Sequence, residues 1–359
     1  MSPEPRPEVT RLLPYTVPAA GRRGLLRLDF NENLMGPSPR VLERLRAIDG
    51  EDLSLYPDET EAREAVARHF ALGGDDALVL TSGIDEAIRL VCDCYVRPGE
   101  RVAILEPGYA MYRFYATLAG AQVREVEFEA GLLFPQAALR RALAEGCRVL
   151  LIGNPNNPTG TAVPQGLLEE LAAAHPETVI LADEAYVEFG GDSCLEGARR
   201  LPNLLVARTF SKAYGLAGLR AGVLLGRRES LAWIARIRSP YAVNGVALAV
   251  LPAALEDAAY LRRTVDEVVA ARRLLTDGLQ AVGIETWPSA ANFLIARFGE
   301  DARALRDALK RRGVLVRDRS GHPLLHGTLR IGLGTRVEAE AFLRALRDLR
   351  GGTGREEGA

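Results

Sequence analysis

Four cysteines in 359 residues leave little room for disulfide or zinc chemistry. Cys92, Cys94, Cys147 and Cys194 match neither a zinc-knuckle spacing nor a secreted disulfide framework. They read as thiols in a reducing cytosol. An excess of one charge is also missing. The formal net charge is −2, with no long basic run or tail, which excludes the electrostatic footprint of a nucleic-acid binder. Long hydrophobic runs are absent too. The longest apolar stretch, Ala242–Leu255, is shorter than a bilayer span and is interrupted by Asn244 and Pro252. Glu4, Arg6, Glu8 and Arg11 have no apolar segment behind them, so no signal peptide is expected. No internal repeat is visible, and only the polar tail Gly351–Ala359 reads as disordered. The chain is expected to be cytoplasmic, with no nucleic-acid partner, no membrane partner and no metal.

What is present is enough apolar sequence, 48%, for more than one typical domain. Short apolar runs read as buried strands at Ala77–Leu80, Arg101–Leu105, Arg148–Ile152, Thr178–Ala182, Leu204–Ala207 and Gly222–Leu225. Helical periodicity lies between most of them, as in Glu59–Phe70, Ile84–Val96 and Leu167–Ala174. That alternation predicts an α/β fold with a mostly parallel central sheet and helices on both faces. After Pro252–Glu256 the pattern changes. A long helix (Asp257–Val282) leads to β-like segments (Asn292–Ala296, Val314–Arg317, Thr328–Leu333) and helices (Asp301–Arg311, Val337–Leu349), predicting a smaller α+β domain. The expected division is an arm over 1–44 packing with the small domain, a large domain over 45–255, a small domain over 256–350 and the tail over 351–359.

Five predicted strands end in polar residues: Thr81-Ser82-Gly83-Ile84-Asp85, Glu106-Pro107-Gly108-Tyr109, Gly153 to Gly160, Asp183-Glu184-Ala185-Tyr186, and Arg208-Thr209-Phe210-Ser211-Lys212. Ligands of open α/β sheets bind beyond the carboxyl ends of the strands, so the five suggest one site. Ile84 and Asp85 at a helix start, the hydroxyls of Thr209 and Ser211, and Arg220 together suit a phosphate. Asp183 follows four apolar residues, and a desolvated carboxylate wants a cation such as a protonated pyridine nitrogen. Tyr109 offers a face for stacking. Asn157 and Tyr186 offer neutral hydrogen bonds to a phenolate oxygen. Lys212 offers an amine for a Schiff base. A phosphate, a pyridinium, a phenolate and an aldehyde trap describe pyridoxal 5′-phosphate.

The residues also carry a family resemblance. Asn154-Pro155-Asn156-Asn157-Pro158-Thr159-Gly160, Asp183-Glu184-Ala185-Tyr186 and Ser211-Lys212-Ala213-Tyr214-Gly215-Leu216-Ala217-Gly218-Leu219-Arg220 resemble class I/II, fold-type I aminotransferases that use pyridoxal 5′-phosphate. Pro14-Tyr15, Asp29-Phe30-Asn31-Glu32-Asn33, Leu55-Tyr56-Pro57-Asp58, Met111-Tyr112-Arg113 and Leu329-Arg330-Ile331 make the chain most similar to the histidinol-phosphate branch. The resemblance implies that Lys212 anchors the cofactor and moves protons, Asp183 pairs with the ring nitrogen, and Tyr109 stacks on the ring. It implies a homodimer in which Tyr56 reaches the neighbouring subunit's cofactor phosphate. It implies substrate contacts from Tyr15, Asn33, Arg317 and Arg330, with an amine and a 2-oxo acid as substrates. Leu34, Ile84 and Val223 depart from the usual family residues and touch the substrate loop and phosphate cup. L-Histidinol phosphate with 2-oxoglutarate is the leading expectation. An aromatic amino acid aminotransferase and a threonine-phosphate decarboxylase-like lyase remain alternatives.

Overall fold

The computed structural model describes residues 3–12 and 21–352. Its strands are β1 (Leu26–Arg27), β2 (Asp76–Thr81), β3 (Arg101–Glu106), β4 (Gln122–Glu127), β5 (Val149–Gly153), β6 (Val179–Asp183), β7 (Leu204–Thr209), β8 (Gly222–Arg227), β9 (Phe293–Arg297), β10 (Val314–Leu315), β11 (Arg317–Asp318) and β12 (Thr328–Gly332). Strands β2 to β8 form one sheet in the order β2-β8-β7-β6-β5-β3-β4. All run the same way except β8, which is antiparallel to both of its neighbours. β5, β6 and β7 are buried at every position, as strands covered on both faces must be. Part of the cover is the helix Gly83–Tyr95, whose buried Ile84, Ala87, Ile88 and Val91 recur at helical spacing.

β4 was not visible as an apolar run. Its sequence, QVREVE, buries Val126 alone. It pairs with β3 at the edge of the sheet, where one covered face suffices. Pro252, which reads as an interruption, lies inside the helix Gly245–Glu256. Asn244 caps that helix by accepting from the Ala247 N–H at 2.8 Å. The helix packs on the helices Pro39–Arg46 and Thr60–His69, and this burial outweighs the missing proline N–H.

The long helix Ala258–Gln280 starts at Asp257, whose carboxylate accepts from the Tyr260 N–H at 3.1 Å. It leads to a second, antiparallel sheet, β11-β12-β9. The span 314–317, one strand by sequence pattern, splits because two partners claim its halves. β10 pairs with β1 of the arm, and β11 pairs with β12.

Candidate active site

Because β2, β3, β5, β6 and β7 run in parallel, the loops at their carboxyl ends meet along one edge of the sheet. Asn156 ties two of them, donating from Nδ2 to the Pro107 carbonyl at 3.0 Å and to Thr159 Oγ1 at 2.9 Å.

Asp183 ends β6 and is 5% exposed. Its Oδ2 accepts from Tyr112 Oη at 2.8 Å, and its Oδ1 accepts from the Ala185 N–H at 3.0 Å. Both donors are neutral. Burial therefore pushes the carboxyl up from 3.8 to about 6, the behaviour of a carboxylate without a cation. Lys212 is half-buried. Its Nζ donates to the Phe30 carbonyl at 3.0 Å and lies 5.7 Å from the Tyr186 ring centroid. Burial, then the charges of Arg330 and Arg220, pull its ammonium down to about 8, while Glu32 and Asp183 oppose them. An amine in that range can serve as nucleophile and proton carrier near neutral pH.

Around this pair the other side chains form two connected groups. Tyr186 Oη accepts from Asn157 Nδ2 at 3.3 Å and from Asn31 Nδ2 at 3.2 Å. Arg330 donates to Asn157 Oδ1 and to the Asp29 carbonyl, both at 2.6 Å. On the other side, Tyr109 Oη donates to Asp85 Oδ1 at 2.8 Å, and its ring meets Tyr112 edge-on at 5.6 Å. Arg220 Nη2 donates to Asp85 Oδ2 at 3.2 Å, and Nη1 reaches Ser211 Oγ at 3.5 Å. Thr209 Oγ1 accepts from the Ser211 N–H at 3.1 Å. Gly83 has φ +76°, and a Cβ there would sit 2.8 Å from Arg220 Nη2. A guanidinium pressed against the first turn of a helix, beside Ile84 and Asp85, is an anion cup.

Among the other expected residues, Asn33 donates from Nδ2 to the Ala213 carbonyl at 3.0 Å, next to Lys212. Arg317 stands directly opposite Arg330 in the β11–β12 ladder, its guanidinium carbon 6.0 Å from the Phe30 ring centroid. Tyr56 stands apart from this cluster. It is 80% exposed and stacks on Tyr241 at 4.5 Å. Tyr15 lies outside the described residues. Glu184, beside Asp183, has a different setting: it is buried and pairs with Arg208 at 2.7 Å.

Three contributors escaped the sequence reading. Tyr112 holds Asp183, and its signal was available, since it lies one helical turn after Tyr109. Asn31 holds Tyr186 from a left-handed backbone, φ +56°, a conformation asparagine tolerates better than most residues. The Phe30 carbonyl receives Lys212, and a backbone acceptor leaves no trace in side-chain identity.

An anion cup, a buried carboxylate with no cation on it among the described residues, a ring for stacking and an amine near neutrality fit pyridoxal 5′-phosphate. The chain matches the family model of class I and II aminotransferases over residues 23–346. It belongs to that aminotransferase family. A histidinol-phosphate aminotransferase of Symbiobacterium thermophilum is 38% identical, covering 95% of this chain and 97% of that protein. One from Acetobacter pasteurianus is 36% identical, covering 96% and 97%. The crystal structure of histidinol-phosphate aminotransferase from Sinorhizobium meliloti in complex with pyridoxal-5′-phosphate has a TM-score of 0.85 at 28% identity, covering 96% of this chain and 97% of that one.

The setting of Asp183 makes this aminotransferase sensitive to cofactor removal. Its folded-state carboxyl titrates at about 6 against an ordinary 3.8, so the folded chain holds the proton more tightly. That contribution is fully present below pH 3.8 and is lost as pH rises through 6. It amounts to about 3 kcal/mol. Cofactor-free wild type is expected to lose roughly that stability between pH 4 and 7 relative to Asp183→Asn, in urea midpoints. Parallel pH profiles of the two apoproteins would remove this account.

Proposed function

We propose that this aminotransferase moves the amino group of L-histidinol phosphate onto 2-oxoglutarate, with pyridoxal 5′-phosphate bonded to Lys212. The observation that carries the choice of donor is the pairing of Arg317 with Arg330 across β11 and β12. Directly opposed residues have Cβ atoms about 5 Å apart. Two guanidinium groups at one end of the site match a phosphate dianion better than a single carboxylate. The relatives' names agree with this reading.

When bound, pyridoxal 5′-phosphate supplies an electron sink for the carbanion left at the substrate Cα. The chain supplies everything else. Lys212 Nζ takes the proton from Cα and returns one, and the Phe30 carbonyl holds that amine inside the site between transfers. Asp183 keeps a proton on the ring nitrogen, with Tyr112 fixing the carboxylate. Tyr109 stacks on the ring while Asp85 orients its hydroxyl. Asn157 and Tyr186 hold the ring oxygen. Ile84 and Asp85 through their backbone, with Thr209, Ser211 and Arg220, hold the cofactor phosphate. Arg330, Arg317, Asn33 and Tyr15 receive the substrate.

The reading extends to a homodimer acting in the cytoplasm, in which Tyr56 reaches the neighbouring protomer's phosphate cup. The exposed Leu53, Leu55, Tyr56 and Tyr241 support it. It also retains 45–255 and 256–350 as two domains, with the arm 1–44 on the smaller, a division supported by the β1–β10 pairing.

The test mixes the cofactor-loaded enzyme with histidinol phosphate, phenylalanine, tyrosine or threonine phosphate and follows loss of the visible cofactor band. Histidinol phosphate should bleach it fastest. Arg330→Lys should raise KM for histidinol phosphate by about 10- to 100-fold, since a charged hydrogen bond is lost. Fast bleaching by phenylalanine with none by histidinol phosphate overturns the choice of donor. Carbon dioxide release from threonine phosphate points instead to a lyase.

A further inference from the structure

Arg22 makes none of the contacts described so far, yet its guanidinium bridges two carboxylates of the arm. Nε and Nη2 donate to Asp29 Oδ2 and Oδ1 at 3.2 and 2.5 Å, and Nη1 and Nη2 donate to Glu32 Oε1 and Oε2 at 3.1 and 2.8 Å. Arg27 Nε adds a bond to Glu32 at 3.2 Å. The Arg22 guanidinium carbon also lies 4.4 Å from the Phe30 ring centroid. Between the two carboxylates stands Asn31 in its left-handed conformation, φ +56°. Asparagine tolerates this backbone better than most residues, and the contacts on either side of it select it here.

The bend that Asn31 makes aims the segment into the site. The Asp29 carbonyl meets Arg330, the Phe30 carbonyl meets Lys212, the Asn31 amide meets Tyr186 and the Asn33 amide meets the Ala213 carbonyl. We propose that Arg22 is a positioning residue for transamination: it clips Asp29 to Glu32 across the left-handed Asn31, and so fixes the two backbone carbonyls that meet Lys212 and Arg330. The proposal rests on Lys212 being the cofactor lysine. Arg22 touches no reacting atom. Its bonds are bidentate, charge-assisted and half-buried, which makes them firmer than a typical surface ion pair.

The test compares cofactor-loaded wild type, Arg22→Met and Arg22→Lys. Methionine keeps an apolar stem beside Phe30 and removes both ion pairs. Three quantities are read: kcat and KM for the amine donor, the pH midpoint of the visible cofactor band, and deuterium exchange of the amides at 29–33. Besides Glu32, Asp183, Tyr186, Arg220 and Arg330, the band midpoint reports the carbonyl that meets Lys212. Arg22→Met should lower kcat by about 10- to 100-fold, the range expected when a catalytic group is misplaced by about 1 Å. It should also move the band midpoint and speed exchange at 29–33. Arg22→Lys should recover part of each change. Wild-type kcat in Arg22→Met overturns the proposal. So does a fall in kcat with an unmoved midpoint and unchanged exchange, which marks a merely structural residue. If Arg22→Met does not fold, Glu32→Gln is judged by the same criteria. Lys212→Ala serves as a control: a cofactor band that persists there defeats the assignment of Lys212, separately from the role of Arg22.

Discussion

Lys212→Ala is expected to leave no more than about one part in 10⁴ of wild-type turnover, the upper end of what general acid–base catalysis contributes. Two losses coincide in that variant. On the proposed assignment, the amine that would bond the cofactor is gone, and so is the base that would reach the substrate Cα. The local chemistry explains why no neighbour can substitute. Burial raises the hydroxyls of Tyr109, Tyr112 and Tyr186 above the ordinary tyrosine range, so all three stay protonated near neutrality. The arginines near Lys212 cannot give up a proton near neutrality. The variant should fold and should lack the visible band of the lysine-bound cofactor. The sequence makes a second readout unusually clean, because it contains two lysines, Lys212 and Lys310. Borohydride reduction of the loaded wild type should place the cofactor's mass on the Lys212 peptide. Attachment at Lys310, on the helix Ala302–Arg311, or normal turnover by the alanine variant, would discard the assignment.

Asp183→Asn should bind cofactor and yet lose about 10²- to 10³-fold in kcat, the usual effect of deleting one preorganised electrostatic partner. Binding survives because the anion cup around Gly83 and Arg220 and the Tyr109 ring are separate from the carboxylate. Turnover would suffer because, in the proposed role of Asp183, a neutral amide cannot keep a proton on the ring nitrogen, and carbanion stabilisation depends on that proton. Tyr112 still has an oxygen to donate to, so the loss reports charge rather than geometry. Tyr112→Phe should therefore be milder than Asp183→Asn. A kcat within threefold of wild type in Asp183→Asn, with cofactor bound, would argue that Asp183 faces something other than a pyridinium.

The sheet was legible where physics leaves one choice. β5, β6 and β7 open on unbroken apolar runs because they are buried on both faces, and the Asp183 that ends β6 and the Arg208-Thr209 that end β7 stand out against them. β4 was not legible because it needs one apolar residue, Val126, and the rest of it is what solvent accepts. The same contrast governs the site. Asp183 and Tyr109 were readable from where they interrupt apolar sequence. Lys212 was readable through the company it keeps. The Phe30 carbonyl and the Arg22 clip were not readable, since one is backbone and the other depends on a bend around Asn31 that composition does not encode.

The polar character that hid β4 has another consequence. A sheet edge offers unpaired amide and carbonyl groups to any passing strand, and an apolar edge would invite other chains to add on. Arg124, Glu125 and Glu127 stud β4 with charge; Arg124 pairs with Glu145, and Glu125 with Arg113. At the opposite edge, Arg63 Nη2 donates to the Leu78 carbonyl of β2 at 3.3 Å, taking up an acceptor that an intruding strand would need. The sheet that carries the site is thus guarded at both margins against growing into an aggregate.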